Sequence, residues 1–163
     1  METQKMNLFI VDDDKLVVSD LKIYLNYKFG TDINISTFSD GESCLEKVDK
    51  NTNLVILDYM LNGKNGLEVL KLIKAINPKT EVIMLSSNED IALAIQSFRN
   101  GASDYVIKGQ GALKKISQLV YQVVTAPIRI IIREFGVSKY MAIFFLTFIL
   151  MGIVVASVLF SMK

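Results

Sequence analysis

The chain has 163 residues, with 18 basic and 17 acidic side chains, a formal net charge of +1 and no histidine. A charge so close to zero gives no indication of nucleic-acid binding, and the single cysteine excludes an internal disulfide. Without histidine, a His/Cys metal site and a Ser-His or Cys-His nucleophile are also excluded, so any metal should be a hard cation held by oxygen.

Apolar runs alternate with helically spaced apolar residues along the first 126 residues. The runs predict strands and the helical spacings predict helices between them. The predicted elements are strand 7–11, helix 15–29, strand 33–38, a short helix from 41 to about 50, strand 54–58, helix 66–76, strand 81–85, helix 91–98, strand 105–107 and helix 113–123. Five such alternations predict an α/β domain, residues 1–126, built on a five-stranded parallel sheet.

Polar residues follow several of the predicted strands. The run Leu54-Val-Ile-Leu ends at Asp58, as Asn7 to Val11 ends at Asp12-Asp13, and two later strands end at Ser86 and Lys108. Parallel strands bring their carboxyl ends to one edge of the sheet, where open α/β folds bind ligands. Three carboxylates there would repel one another unless a cation joined them, and Mg²⁺ is the natural occupant. With Lys108 nearby, Asp58 is a candidate nucleophile for phosphoryl transfer.

With these residues, the sequence resembles the receiver domain of two-component response regulators over residues 6 to about 125. The resemblance rests on four matching pieces at the strand ends: Phe9-Ile-Val-Asp12-Asp13, Leu54-Val-Ile-Leu-Asp58, Val82-Ile-Met-Leu-Ser86 and Asp104-Tyr105-Val-Ile-Lys108. It implies a flavodoxin-like fold with strand order 2-1-3-4-5. It also implies a chain that catalyses its own phosphorylation from the phosphohistidine of a histidine kinase, a phosphotransfer protein or a small phosphodonor, and then slowly hydrolyses the product.

The same resemblance assigns a role to each site residue. Asp12 and Asp13 become the acidic pair that binds Mg²⁺, Asp58 becomes the phosphoacceptor and a further metal ligand, and the Met60 backbone carbonyl completes the metal shell. The remaining assignments are Ser86 as the switch hydroxyl, Tyr105 as the switch aromatic and Lys108 as the phosphate-contacting lysine.

The sequence departs from the family pattern at a few positions. Ser86 replaces the commoner threonine and keeps the hydroxyl, while Gly109 replaces the proline that usually follows the lysine in a cis peptide bond. A cis bond without proline costs about 2.5–4 kcal/mol, so a trans bond is expected here. Met60 and Asn88 occupy positions that tune water access in the family, and an apolar Met60 is expected to slow hydrolysis.

The C-terminal segment has a different character from the rest of the chain. Residues 141–162 are 22 consecutive residues without a charge, long enough as a helix to cross the hydrocarbon core of a bilayer. We therefore predict a juxtamembrane segment, 127–139, and a transmembrane helix, 140–163, with Pro127 marking the break from the last helix of the domain. Residues 128–135 could alternatively extend that helix or lie at the headgroup level. Arg129, Arg133 and Lys139 precede the span and only Lys163 follows it, which predicts a cytoplasmic domain.

Together these observations predict a single-pass, membrane-tethered response regulator that signals through protein contacts and does not bind nucleic acid. Gly152 and Ala156 form a small-xxx-small pair, which predicts a weak homodimer in lipid. The alternative is a receiver-like scaffold or oligomerisation module at the membrane that is not phosphorylated.

Overall fold

The structure, a computed structural model, describes residues 5–134 and 147–153, with side chains for 5–125 and 147–153. Five strands alternate with five helices along the chain. In order they are β1 Met6–Val11, α1 Lys15–Phe29, β2 Ile33–Phe38, α2 Gly41–Leu45, β3 Thr52–Asp58, α3 Gly66–Ile76, β4 Glu81–Ser86, α4 Ile91–Arg99, β5 Asp104–Ile107 and α5 Ala112–Glu134. The strands form one parallel sheet in the order β2-β1-β3-β4-β5. The predicted parallel α/β fold and its strand order are therefore confirmed.

The central strand β3 shows why the continuous apolar runs form strands. Leu54 and Ile56 pack into the core on one face of the sheet, with α1 and α5, whereas Val55 and Leu57 pack on the other, with α2 and α3. All four side chains are buried, because helices cover both faces of a parallel sheet.

Strand register aligns the site. Val11 pairs with Leu57, so Asp12 and Asp58, each one residue further along, lie at the ends of adjacent strands. Asp58 itself pairs with Leu85, and the next residue, Ser86, pairs with Ile107. Lys108 follows Ile107 directly, so the four polar positions lie at one edge of the sheet.

Helix α2 is shorter than predicted, because it ends at Leu45 and not near Lys50. A turn replaces its last part: Asp49 N–H donates to Thr52 Oγ1 at 3.0 Å, and Asn51 N–H donates to Asp49 Oδ1 at 2.9 Å. Such local bonds between side chains and backbone compete with helix formation. Within α2, burial, reinforced by the Asp40 charge, raises the pKa of the Cys44 thiol to about 12.

Helix α5 runs through Pro127 to Glu134, so a helix break at Pro127 is wrong, and the alternative that the residues after Pro127 extend this helix is the one observed. Proline lacks the N–H that would bond to the carbonyl four residues earlier, but it fixes φ near the helical value, so helical backbone can continue after it.

The chain divides into two compact units, Met1–Val124 and Thr125–Lys163. In the second unit, a further helical stretch covers residues 147–153. Within the described residues, no helix combines the length and the apolar character needed to cross a membrane. Most of the predicted transmembrane helix 140–163, including Ala156 of the predicted dimer contact, lies outside the described residues.

Candidate functional site

Two buried carboxylates form the centre of the site. Asp12 is 2% exposed and Asp58 is 3% exposed, each directly at the end of an apolar strand. The Asp12 backbone extends the ladder between β1 and β2 by donating its N–H to the Phe38 carbonyl at 3.1 Å. Their burial follows from the sequence, since the strands that carry them have helices on both faces.

Lys108 joins these two carboxylates from the end of β5. Its Nζ lies 2.7 Å from Asp12 Oδ2 and 3.1 Å from Asp58 Oδ1. Asp12 Oδ2 nevertheless accepts no hydrogen bond of acceptable geometry. The Lys108 contact is therefore best described as an ion pair, and this buried oxygen has capacity to accept a further ligand.

The electrostatics of the cluster are unbalanced. Burial, and then the charge of Asp12, raise the pKa of Asp58 above its usual value, although Lys108 and the Met60 backbone N–H act against this shift. Burial alone would lower the pKa of Lys108, but the Asp12 and Asp58 carboxylates outweigh it and the pKa is raised. One shared cation thus leaves two buried carboxylates incompletely neutralised, which favours the binding of a further cation.

Asp13 completes an acidic cluster with oxygen ligands alone. One carboxylate oxygen from each of Asp12, Asp13 and Asp58 lies within 4.8 Å of the other two. Such a set suits Mg²⁺, which prefers carboxylate and water oxygens in octahedral geometry. Together with the unbonded Asp12 Oδ2, this cluster fits the predicted metal. The predicted Met60 carbonyl ligand stays a prediction; the Met60 backbone N–H donates to Asp58, and its side chain is exposed.

The two predicted switch residues are connected through the backbone of a third. Ser86 is fully buried, and its Oγ accepts a hydrogen bond from Asn88 N–H at 3.0 Å. The Tyr105 hydroxyl donates to the Asn88 carbonyl, also at 3.0 Å. Tyr105 is only 9% exposed, so its ring is already turned inward without a phosphoryl group.

The loop after Lys108 has a backbone that suits glycine. Gly109 has a φ of +141°, and no peptide bond among the described residues is cis, so the Lys108–Gly109 bond is trans as expected. Proline, with φ near −65°, cannot adopt this conformation. The replacement of the family's usual proline by glycine is thus matched by a different loop geometry.

Sequence reasoning missed one residue of the site, Asn62. This residue lies in the loop between β3 and α3, and its Nδ2 donates to Asp13 Oδ2 at 2.7 Å. Hydrophobic periodicity contains no information about loop conformation, so no sequence pattern pointed to this contact.

A family model described as the response regulator receiver domain matches residues 8–121 of this chain. Among curated proteins, the DNA-binding response regulator MtrA of Mycolicibacterium smegmatis is 31% identical over 109 residues, which make up 66% of this chain and 46% of MtrA. This chain therefore matches less than half the length of that relative.

Solved structures agree with the sequence comparison. The BeF3-activated receiver domain of DrrB, a Thermotoga maritima protein, is 28% identical with a TM-score of 0.66, over 74% of this chain and 98% of that chain. A chain of the CheX–CheY–BeF3–Mg²⁺ complex from Borrelia burgdorferi is 26% identical with a TM-score of 0.62, over 76% and 89%.

Proposed function

Because the chain belongs to the response regulator receiver domain family, we propose that it takes a phosphoryl group onto Asp58 from the phosphohistidine of a histidine kinase or phosphotransfer protein. The observation that carries this proposal is the joint contact of Lys108 with Asp12 and Asp58, beside a third carboxylate, at one edge of the sheet. Isolated strand-end aspartates commonly cap helices, but a cap does not require a buried cluster that shares a lysine.

In this proposal Asp58 is the nucleophile. One of its carboxylate oxygens attacks the phosphorus atom, an O–P bond forms, and the P–N bond to the donor imidazole breaks. Asp58 has its neighbours in place before the donor arrives, because β3 fixes its backbone and the Met60 N–H donates to its carboxylate. Such preorganised groups lower the barrier without reorganisation during the reaction.

Lys108 can contact the Asp12 and Asp58 carboxylates before phosphoryl transfer and the phosphoryl oxygens afterwards. Its ammonium already lies 3.1 Å from Asp58 Oδ1, and 21% of its side chain is exposed. It can therefore turn from the carboxylates toward the oxygens of an arriving phosphoryl group. Asp12 and Asp13 would hold Mg²⁺ together with Asp58, and the ion would neutralise phosphoryl charge when bound.

Output in this proposal begins at Ser86. Its hydroxyl would donate to a phosphoryl oxygen and move away from the Asn88 N–H, from which it accepts a hydrogen bond. This movement would free the loop after β4. The Asn88 carbonyl also accepts the Tyr105 hydroxyl, so a change at Ser86 reaches the surface beside β5. Exposed apolar side chains on α4 and β5, Ile95, Phe98 and Ile107, offer that surface to a protein partner.

We further propose that residues 140–163 tether the receiver to the cytoplasmic face of a membrane, and that Gly152 supports weak self-association there. The uncharged segment 141–162 and the basic residues that precede it support this arrangement. The kinase would then meet its receiver at the membrane surface.

The experiment is mass spectrometry of the intact full chain, in mild detergent, after incubation with Mg²⁺ and a small acyl phosphate. We expect one phosphoryl adduct in the wild type and none in Asp58→Asn. The matched control is Asp14→Asn, because Asp14 caps α1 by accepting from Leu16 N–H and lies outside the cluster. This variant should be phosphorylated like the wild type.

An adduct that persists in Asp58→Asn would contradict the assignment of the phosphoacceptor. A wild type that forms no phosphoryl adduct with the small donor, and that does not bind beryllofluoride in solution, would favour the alternative of a non-phosphorylated scaffold.

A further inference from the structure

A hydrogen bond between two side chains, Asn62 and Asp13, crosses the edge of the acidic cluster. Asn62 Nδ2 lies 2.7 Å from Asp13 Oδ2. The bond joins the loop that follows Asp58 at the end of β3 to the loop after β1, which carries Asp13. At this distance it is a short, charge-assisted hydrogen bond.

Asp13 is the carboxylate of the cluster for which orientation matters most. Asp12 and Asp58 are buried and share Lys108, which restricts both side chains. Asp13 is exposed, and among the described residues it forms no ion pair within 4 Å. An exposed carboxylate without such a restraint would sample several rotamers, and a metal would have to select one of them.

The position of Asn62 is itself fixed by the loop. Tyr59 N–H continues the ladder to the Leu85 carbonyl at 2.8 Å, and Gly66 N–H closes the loop onto the Tyr59 carbonyl at 2.9 Å. Between these ends, Lys64 bonds to Glu42 through its backbone N–H and its ammonium, both at 3.2 Å. Asn62 therefore projects from a backbone that is held on both sides.

The chemistry of the amide suits this role. A lysine at this position would also orient Asp13, but its positive charge would compete with a divalent cation. The neutral amide bonds to one carboxylate oxygen, leaves the other oxygen free to bind a metal and does not neutralise the negative charge of the carboxylate. Groups that orient a metal ligand in this way typically change metal affinity by about 10–100-fold when they are removed.

We propose that Asn62 is a positioning residue for divalent-cation binding: it holds Asp13 in the orientation in which one of its carboxylate oxygens lies within 4.8 Å of those of Asp12 and Asp58. The proposal rests on the proposed function, because it assumes that this cluster binds Mg²⁺. It adds a residue that acts through Asp13 and touches neither the metal nor the phosphoryl group.

The test is calorimetric titration of the full chain in mild detergent with Mg²⁺ alone. Asn62→Ala should raise the Kd for Mg²⁺ about tenfold, the lower end of the usual range because the pair is exposed. Asn62→Gln, which keeps the amide, should recover most of the affinity. The control is Lys64→Ala, which loosens the same loop from Glu42 but leaves the bond to Asp13, and it should bind Mg²⁺ like the wild type.

A second measurement separates positioning from folding. Thermal unfolding without Mg²⁺ should give the same midpoint for the wild type and Asn62→Ala, whereas with Mg²⁺ the variant should be stabilised less. The proposal is overturned if Asn62→Ala binds Mg²⁺ as tightly as the wild type, or if Lys64→Ala weakens binding equally. A wild type that binds no Mg²⁺ would instead refute the metal site of the proposed function, and this inference with it.

Discussion

Removing the Lys108 ammonium should destabilise the fold, because it would leave two buried carboxylates without a cation. The variant is Lys108→Met, which keeps the length of the side chain. At an effective dielectric constant of about 20, unit charges about 3 Å apart attract by about 5–6 kcal/mol, but part of this offsets the desolvation of the lysine. Breaking a buried ion pair by removing one partner typically costs about 3–5 kcal/mol.

The structure favours the lower end of that range. The carboxylate side chains are 1% and 3% exposed, but the Lys108 side chain is 21% exposed, so solvent already screens part of the attraction. We expect a loss of about 3 kcal/mol in the free energy of unfolding at pH 7 without divalent ions. With a urea m-value of about 1.5 kcal/mol/M, the midpoint should fall by about 2 M.

The assay is urea unfolding of the full chain followed by far-UV circular dichroism. The matched control is Lys115→Met, because Lys115 also forms an ion pair, with Asp104 at 3.0 Å, but both side chains are substantially exposed. Such surface pairs contribute at most about 1 kcal/mol. Saturating Mg²⁺ should restore more stability to Lys108→Met than it adds to the wild type. Equal midpoints for the two lysine variants would refute the electrostatic reasoning.

Further predictions concern the phosphoacceptor, the loops and the tail. The pKa of Asp58 is raised in the folded state, so the native protein binds more protons than the unfolded chain. The free energy of unfolding should therefore fall as pH rises from the unfolded pKa of about 4 through the folded value. Asp58→Asn should flatten that slope in urea unfolding measured from pH 4 to 7 without Mg²⁺, and an unchanged slope would contradict the assignment. Gly109→Pro should lower the urea midpoint by at least the equivalent of about 1–3 kcal/mol, since φ is +141°; a neutral effect would show that the loop adopts another conformation. Gly66→Ala should reduce both stability and phosphorylation, since its Cβ would lie 2.2 Å from the Asp58 carbonyl oxygen; full phosphorylation would show that the loop yields without moving Asp58. The full chain should sediment with membranes after a carbonate wash, whereas a chain cut after Ala126 should remain in the supernatant; a full chain that the wash releases would count against an anchor in 127–163.

The fold could be predicted from the sequence for the strands that helices cover on both faces of the sheet. The run before Asp58 has no polar interruption, and this fixed both the type of element and the end at which its carboxylate lies. The end of α2 was predicted poorly, because the Asp49 turn depends on side-chain bonds that do not alter hydrophobic periodicity. Whether α5 continues past Pro127 could not be decided from the sequence, because proline removes one backbone hydrogen bond but has a φ that fits a helix.

The site, too, contains residues whose positions follow from the sequence pattern and residues whose positions do not. Asp12, Asp58 and Lys108 come together because strand register alone brings them together, and register follows from the buried strands. The contact of Asn62 with Asp13 depends on the path of a loop, and the inward position of Tyr105 depends on the loop that places the Asn88 carbonyl within reach of its hydroxyl. Neither is encoded in the spacing of apolar residues.

The burial of Cys44 has a practical consequence for work on the tail. It is the single cysteine of the chain, it is fully buried, and its pKa is raised to about 12. Because the thiolate is the species that reacts with maleimides, Cys44 should be alkylated very slowly while the chain is folded. A cysteine introduced by Ser138→Cys or Lys163→Cys, on either side of the uncharged segment 141–162, would then be the one readily labelled thiol. Membrane-impermeant maleimides could report the sidedness of each position in sealed vesicles without first building a cysteine-free background.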